Sequence, residues 1–193
     1  MWRRTVRTLG DEYHVVAPDL PGFRPGTGEF SLEGAAESVV KLAEDLGGVH
    51  LCGLSLGGTV AIRAAATSPP NIASLMLCAP AVAAQRYQPH LLRRYRRIPD
   101  PLARLFSDAT SWRALIDEIA KIDITDDFPA IRSPTLVVCG ARDRTSLADA
   151  KRTAAGIAGA RLVTLPHLGH GWPVTAPKVF RSVLGGFLAS VEP

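Results

Sequence analysis

The most informative stretch of the chain reads VHLCGLSLGGTVAIRAAA over residues 49–66. Its opening run Val49–Cys52 is short and apolar, which predicts a buried β-strand, and the alanine-rich segment Leu56–Ala66 predicts a helix. The intervening Gly53-Leu54-Ser55-Leu56-Gly57 matches the pattern G-x-S-x-G, which in a strand–turn–helix context carries a nucleophilic serine. A sharp turn would strain the backbone of Ser55, and flanking glycines would remove clashing Cβ atoms. We therefore predict that the Ser55 hydroxyl projects from the edge of a sheet.

The same turn has a less specific interpretation, a glycine-rich loop that serves only close packing. The strand–turn–helix context favours the catalytic interpretation. In that case the backbone N–H of Leu56, at the positive end of the helix, would point at a developing oxyanion. Leu54 would then lie where it could contact a substrate.

Short apolar runs alternate with segments of helical period along most of the chain. Ser31 can cap a helix whose apolar positions recur with a period of 3.6 residues. Alternation of helices with fully apolar strands predicts a parallel sheet that is buried on both faces. We predict an α/β fold, a three-layer sandwich with a mostly parallel sheet of about five strands. The predicted strands are Tyr13–Ala17, Val49–Cys52, Ser74–Cys78, Thr135–Cys139 and Arg161–Leu165, and the predicted helices include residues 32–46, 147–158 and 177–190.

One segment interrupts this alternation. Residues 81–134 are too long for a simple crossover helix and contain breaks at Pro89, Pro99 and Pro101. We interpret residues 81–130 as a small inserted helical lid, with residues 1–80 and 131–193 forming the core. Trp112 could line an acyl pocket there, although packing of the lid against the core would explain it equally well.

A serine hydroxyl is a weak nucleophile unless a base removes its proton. Asp143 follows one predicted strand and His170 follows the next, so the chain order is Ser, Asp, His. Loops at the carboxyl edge of a parallel sheet converge on one crevice, where these groups could meet. Asp149 is an alternative acid and His167 an alternative base. We favour His170 because Gly169 and Gly171 on either side would let the backbone curl over the nucleophile.

These motifs together resemble the α/β-hydrolase fold superfamily. The elbow around Ser55, the stretch VVAPDLPGF at residues 15–23, PTLVVCGARD at 134–143 and the pair Gly169-His170 occur in that family's order. The resemblance implies that Asp143 orients His170, which deprotonates Ser55 and later protonates the leaving group. It also implies a serine hydrolase that acts on a small ester, with no metal and no organic cofactor.

The chain departs from the family pattern at its start. Family members usually carry strands and an oxyanion-binding loop, often with a His-Gly motif, before the segment that matches Tyr13–Ala17. No such element lies upstream of Tyr13 in this sequence. We therefore expect an amino-terminally shortened fold, in which Tyr13–Ala17 either pairs with Val49–Cys52 or leaves two unpaired edges that favour self-association. A lost oxyanion donor typically lowers the rate by about 10²- to 10³-fold.

Composition and charge limit the kinds of partner that we expect this chain to bind. The formal net charge is +4, but the arginines are dispersed apart from the cluster at residues 93–97, and no nucleic-acid-binding motif accompanies them. We expect a solvated basic helix face, a small-molecule substrate, no nucleic-acid or membrane partner and a possible homo-oligomer. Three cysteines, Cys52, Cys78 and Cys139, each end an apolar run and predict buried thiols rather than disulfides, which is typical of a cytoplasmic protein.

Three functions therefore compete. The main hypothesis is an esterase-like enzyme that works through an acyl-serine intermediate. The second is a catalytically impaired hydrolase fold that acts as a binding module. The third is C–C bond hydrolysis or perhydrolysis on the same scaffold.

Overall fold

Four parallel strands form the sheet of this protein, in a computed structural model that describes residues 2–10, 12–23, 28–83, 89–103 and 112–191. The strands lie side by side in chain order. Because all four run in the same direction, their carboxyl ends meet at one edge of the sheet. The strands are β1 (Val49–Leu54), β2 (Ile72–Cys78), β3 (Thr135–Gly140) and β4 (Arg161–Leu165).

Helices connect and flank these strands. The Ser31 side chain caps the longest one by accepting a hydrogen bond from the N–H of Gly34 at 3.1 Å, as its position in the sequence predicts. Two 3₁₀ helices, Pro69–Asn71 and Thr125–Ala130, complete the connections. The helices are α1 (Arg3–Leu9), α2 (Leu32–Asp45), α3 (Leu56–Thr67), α4 (Pro89–Arg96), α5 (Asp100–Ala103), α6 (Trp112–Lys121), α7 (Leu147–Gly156), α8 (Trp172–Thr175) and α9 (Pro177–Leu188).

Burial of the two central strands shows that both faces of the sheet are covered. Every residue of β3 is buried, and β2 is buried except at Ala73. One helical layer contains α2 and α3, which pack on each other. Residues on either side of α1 contact α9, because the ring of Trp2 lies 5.6 Å from that of Phe180 and Glu12 pairs with Arg181. The predicted α/β sandwich with a parallel sheet is confirmed.

The prediction of a strand at Tyr13–Ala17 is wrong. Residues 14–20 are irregular, and the described sheet has four strands rather than about five. Tyr13 donates its backbone N–H to the carbonyl of Leu9, and its side chain still packs on the core with that of Val15. Tyr13 and Val15 are only half-buried and Val16 is 43% exposed, so the apolar pattern overestimated the burial of this segment. A strand also needs a neighbour that supplies hydrogen bonds. In the described sheet β1 has β2 as its neighbour and forms an edge.

The segment predicted as a lid contains α4, α5, α6 and the second 3₁₀ helix among its described residues. Leu92 of α4 and Ile116 of α6 form a small apolar cluster of their own. Ile124 and Phe128, by contrast, are buried in the main core. The division of the chain into core and lid therefore stays a prediction. Among the described residues, no helix has both the length and the apolar character that crossing a bilayer requires.

Candidate active site

Ser55 occupies a strained turn between β1 and α3. Its φ is 54° and its ψ is −120°, outside the regions that residues with a Cβ usually adopt. Backbone hydrogen bonds hold the turn in place. The Ser55 N–H donates to the carbonyl of Cys78 on β2 at 2.9 Å, and its own carbonyl accepts from Gly58 at 2.8 Å and Thr59 at 3.1 Å. Strain of this kind persists where the surroundings enforce it, and it is concentrated at functional sites.

The glycines around Ser55 do not all serve the same purpose. A Cβ on Gly53 would collide with the backbone of Gly57, so a glycine is required there for close approach. A Cβ on Gly57 would meet no atom within 4 Å. The expectation that both flanking glycines remove steric clashes is therefore correct for Gly53 and wrong for Gly57.

Leu56 is the first residue of the 12-residue helix α3. Backbone N–H groups in the first turn of a helix have no acceptor within that helix, and they lie at the positive end of its dipole. Leu56 directly follows Ser55 in the chain, so its backbone N–H lies at the same edge of the sheet as Ser55. This position suits it to stabilise negative charge that develops beside Ser55.

Asp143 lies in the turn that joins β3 to α7, and this turn is tied to the loop after β4. The N–H groups of Ala141 and Arg142 donate to the carbonyls of Leu165 at 2.8 Å and Leu168 at 2.9 Å. A Cβ on Gly140 would collide with the Leu168 carbonyl, so this approach of two backbones depends on glycine. The two loops are thereby held side by side at the carboxyl edge of the sheet.

The carboxylate of Asp143 pairs with the imidazole of His170. His170 Nδ1 lies 2.7 Å from Asp143 Oδ2, and the N–H of Ser146 donates to Oδ1 at 3.1 Å. The Asp143 side chain is 5% exposed and that of His170 is 49% exposed. Burial raises the pKa of Asp143, but hydrogen bonds from His170 and Ser146 hold this pKa below its ordinary value. An ionised, buried carboxylate therefore orients a ring that reaches solvent.

The alternative acid and base lie in other surroundings. Asp149 is buried on α7, where its Oδ1 pairs with Arg152 at 3.1 Å and its Oδ2 accepts from the N–H of Val82 at 3.4 Å. His167 is exposed and has a φ of 63°. A Cβ on Gly169 or Gly171 would meet no atom within 4 Å. The reason given for favouring His170, that Gly169 and Gly171 would let the backbone curl over the nucleophile, gains no support from these two positions, although His170 is the histidine beside Asp143.

Three described residues other than glycine have a positive φ: Ser55, Ala79 and His167. Each follows the carboxyl end of a strand, β1, β2 or β4 respectively. Backbone strain is thus concentrated at the edge where Asp143 also lies. Parallel strands are about 4.8 Å apart, so the ends of β1 and β3 are separated by about 10 Å. That His170 reaches Ser55 across this edge is part of the function proposed below.

The other predicted substrate-contacting residues take part in packing. Leu54 is buried in the main core. Trp112 begins α6, where its Nε1 donates to the carbonyl of Tyr95 at 2.7 Å and its ring meets the Tyr95 ring edge-on. A substrate-binding role for either residue stays a prediction. In the basic cluster, Arg96 pairs with Asp117 at 2.6 Å, while Arg93, Arg94 and Arg97 are exposed.

The three cysteines are free thiols. Cys78 and Cys139 are buried and Cys52 is half-buried. Burial raises the pKa of Cys139 to about 12 and raises that of Cys78 well above its ordinary value.

Within the described part of the chain, no group of three or more His, Cys, Asp or Glu side chains is arranged to hold a metal ion. A cavity of about 480 Å³ lies against Val6, Gly10 and residues 12–15, and none of these is a predicted site residue.

Ser146 is a site residue that the motif comparison missed. It is buried, and its Oγ lies 3.2 Å from Nδ1 of His170. A local signal was present, because Asp143 precedes Ser146 by three residues and an aspartate often accepts the backbone N–H three positions later. That signal predicts a turn, whereas the contact with His170 depends on the folding of a distant loop.

This chain is similar to known hydrolases along nearly its whole length. A model described as "Alpha/beta hydrolase family" matches residues 1–183. The chain is 24% identical to monoacylglycerol lipase abhd6-B of Xenopus laevis, over 100% of this chain and 72% of the relative. It is 26% identical to the putative carbamate hydrolase RutD of Caulobacter sp. (strain K31), over 97% of this chain and 85% of the relative. A thermophilic esterase from Thermogutta terrifontis superposes with a TM-score of 0.79 at 25% identity, over 100% of this chain and 85% of that one.

Proposed function

The chain belongs to the alpha/beta hydrolase family, and on that premise we propose that it is a serine hydrolase that cleaves a small carboxylic ester or a related acyl compound. In this proposal, the Ser55 Oγ attacks the acyl carbonyl while His170 Nε2 takes the hydroxyl proton. The imidazolium then protonates the leaving alkoxide, which leaves an acyl group on Ser55. Water, deprotonated by His170, then attacks the acyl carbonyl. The bond between the acyl group and Ser55 Oγ breaks, the imidazolium returns its proton to this oxygen, and the acid is released.

Asp143 and Leu56 have supporting roles in the proposed reaction. Asp143 holds the His170 tautomer that has a proton on Nδ1 and a lone pair on Nε2, and its charge stabilises the imidazolium. The backbone N–H of Leu56 donates to the oxyanion of the tetrahedral intermediate.

One observation carries the proposal more than any other. A serine in a strained turn follows a parallel strand at the same sheet edge as a hydrogen-bonded pair of a buried carboxylate and an exposed imidazole. A binding module would gain nothing from a strained serine and an oriented imidazole at one edge. The pair separated by 2.7 Å supplies the base that a serine nucleophile requires.

The names of the relatives support the proposed substrate class. They include monoacylglycerol lipases and an esterase, which act on carboxylic esters, together with carbamate hydrolases. Ester and carbamate hydrolysis share the attack of a nucleophile on a carbonyl carbon. We place carboxylic esters first because a lipase found by sequence and an esterase found by structure are both named for the hydrolysis of such esters.

Labelling of Ser55 tests the proposal directly. A fluorophosphonate probe should label the folded wild-type chain, and Ser55→Ala should abolish the label. Ser182→Ala is the matched control, because Ser182 is exposed on α9 and the same hydroxyl is removed there. Wild-type protein that is folded by circular dichroism but takes no Ser55-dependent label would favour the impaired binding module.

Turnover then tests the substrate class. Initial rates on p-nitrophenyl acetate, butyrate and octanoate are compared with rates on a p-nitrophenyl carbamate, for wild type and Ser55→Ala. We expect Ser55-dependent turnover, with the highest kcat/KM on a short ester. Labelling together with turnover of the carbamate alone would keep the serine nucleophile but reject the proposed substrate class.

A further inference from the structure

Ser146 contacts both members of the Asp143–His170 pair. Its Oγ lies 3.2 Å from His170 Nδ1, and its backbone N–H donates to Asp143 Oδ1 at 3.1 Å. The residue is 4% exposed. The two contacts come from different atoms of Ser146, so together they define where the carboxylate and the ring lie relative to each other.

The direction of the Ser146 hydroxyl is unusual for its position in the fold. Ser146 immediately precedes α7, and a serine at that position ordinarily caps the helix with its side-chain oxygen. Here the side chain makes no capping hydrogen bond, and the backbone of Ser146 is already helical, with φ −90° and ψ −13°. Helix capping therefore does not account for the hydroxyl, which contacts the ring of His170 instead.

We propose that Ser146 is a positioning residue, whose hydroxyl and backbone N–H together hold the Asp143 carboxylate and the His170 ring in the geometry that the reaction needs. This inference rests on the proposed function, because it assigns Ser146 to the same site. Ser146 acts through His170 and Asp143 and has no direct contact with substrate in this role.

The chemistry of the three groups explains why a hydroxyl suits this place. An ionised carboxylate only accepts hydrogen bonds, whereas a hydroxyl both donates and accepts. The Nδ1–H of His170 donates mainly to Asp143 Oδ2, at 2.7 Å, and secondarily to Ser146 Oγ, at 3.2 Å. The Ser146 hydroxyl proton can then be directed to the Asp143 carboxylate, and the Ser146 side chain is among the groups that hold the pKa of Asp143 below its ordinary value.

Because the His170 side chain is exposed, a second contact helps to restrict the rotation of its ring. Its side chain is 49% exposed, so solvent does not restrict rotation of the ring. A single hydrogen bond to Asp143 would let the ring swing about that contact. A second contact on Nδ1, from a residue whose backbone is held at the start of α7, restricts this motion. The Ser146 carbonyl accepts from Ala150 at 2.8 Å and anchors that backbone.

The test compares Ser146→Ala and Ser146→Thr with a control far from the site. Ser182→Ala also removes a serine hydroxyl, from an exposed residue of α9. We expect Ser146→Ala to lower kcat by about tenfold, as for loss of a hydrogen bond to a charged group, with KM nearly unchanged. Ser146→Thr keeps the hydroxyl and should retain most of kcat, and Ser182→Ala should match wild type.

A proton NMR measurement gives a readout that does not depend on turnover. The Nδ1–H of a histidine bound to a carboxylate gives a separate downfield resonance. In Ser146→Ala this resonance should shift and exchange faster with water, whereas in Ser182→Ala it should not change. Thermal unfolding midpoints show whether each variant is folded. Because the Ser146 side chain makes no cap, the midpoint of Ser146→Ala should lie close to that of wild type.

Separate results would overturn the inference and the proposed function. An unlabelled, inactive wild type would reject the proposed function, and the NMR comparison would then decide whether Ser146 positions the ring. Labelled, active wild type with unchanged kcat in Ser146→Ala would reject only the role of Ser146. Loss of stability in Ser146→Ala with unchanged kcat per folded molecule would show that Ser146 is merely structural.

Discussion

The carboxylates of Asp143 and Asp149 are both buried near the start of α7, but they face different partners. Asp143 accepts a hydrogen bond from His170 at 2.7 Å, whereas Asp149 is paired with Arg152 at 3.1 Å and also accepts from the N–H of Val82. One carboxylate therefore orients an imidazole, and the other connects α7 to the chain that follows β2. Substitution of each of these two aspartates should therefore affect a different property of the protein.

Asparagine substitutions should separate these two roles. Asp143→Asn removes the charge that holds the His170 tautomer, so we expect kcat to fall by about 10³- to 10⁴-fold. Asp149→Asn weakens a charged hydrogen bond in the core, so the free energy of unfolding should fall by about 1–3 kcal/mol, with near-normal kcat per folded molecule. Ester turnover and urea unfolding of both variants measure the two effects. The reverse assignment of effects would identify Asp149 as the catalytic acid.

The two histidines of the loop after β4 give a second matched pair. His170→Asn should lower kcat by about 10³-fold or more, because no base would remain to take the Ser55 proton. His167→Asn should change kcat by less than about threefold, since asparagine tolerates the positive φ of 63° at that position. Fluorophosphonate labelling rates can be measured on the same variants. A larger loss in His167→Asn would transfer the role of base to His167.

Stability in acid should depend on Asp143. Burial raises its pKa, but hydrogen bonds from His170 and Ser146 hold it below the ordinary value of 3.8. The ionised carboxylate is therefore favoured in the folded state. Its contribution is complete above pH 3.8 and is lost as the pH falls through the lower pKa of the folded protein. Urea unfolding of wild type and Asp143→Asn should show a difference at pH 7 that shrinks below pH 4. A difference that is constant across this range would contradict the lowered pKa.

Gly140 should be intolerant of a methyl group. In Gly140→Ala, the new Cβ would collide with the Leu168 carbonyl, so the two loops would have to separate. We expect a loss of about 1–3 kcal/mol in the free energy of unfolding, together with reduced turnover. Gly186→Ala is the matched control, because a Cβ there meets no atom within 4 Å and alanine in a helix is favoured over glycine by about 0.5–1 kcal/mol. Equal effects of the two substitutions on unfolding would refute this account of Gly140.

The buried thiols should resist alkylation while the protein is folded. A thiolate is the reactive form of cysteine, and burial raises the pKa of Cys139 to about 12 and that of Cys78 well above its ordinary value. Iodoacetamide at pH 8 should therefore modify half-buried Cys52 first and leave Cys78 and Cys139 unmodified. All three should react in urea. Peptide mass spectrometry measures each site, and rapid modification of Cys139 in folded protein would contradict the prediction.

Local patterns in the sequence predicted much of the fold because they report local physics. The cap at Ser31, the elbow at Ser55 and the apolar runs of β2 and β3 depend on neighbours within a few residues. The segment Tyr13–Ala17 shows where this approach fails. Its apolar pattern predicted a buried strand, but Val16 is 43% exposed and the segment is not part of the described sheet, because hydrogen bonding in a sheet depends on a strand from elsewhere in the chain.

The sequence by itself determined the α/β class, the parallel direction of the strands and the loops in which a serine, an acid and a base occur. Only the tertiary structure decided that His170 pairs with Asp143 rather than Asp149, that β1 lies at a sheet edge, and that the Ser146 hydroxyl contacts the His170 ring. The physical reason is the range of the forces involved. Helical period and turn chemistry are set by adjacent residues, whereas burial and a hydrogen bond between loops exist only after distant parts of the chain have packed together.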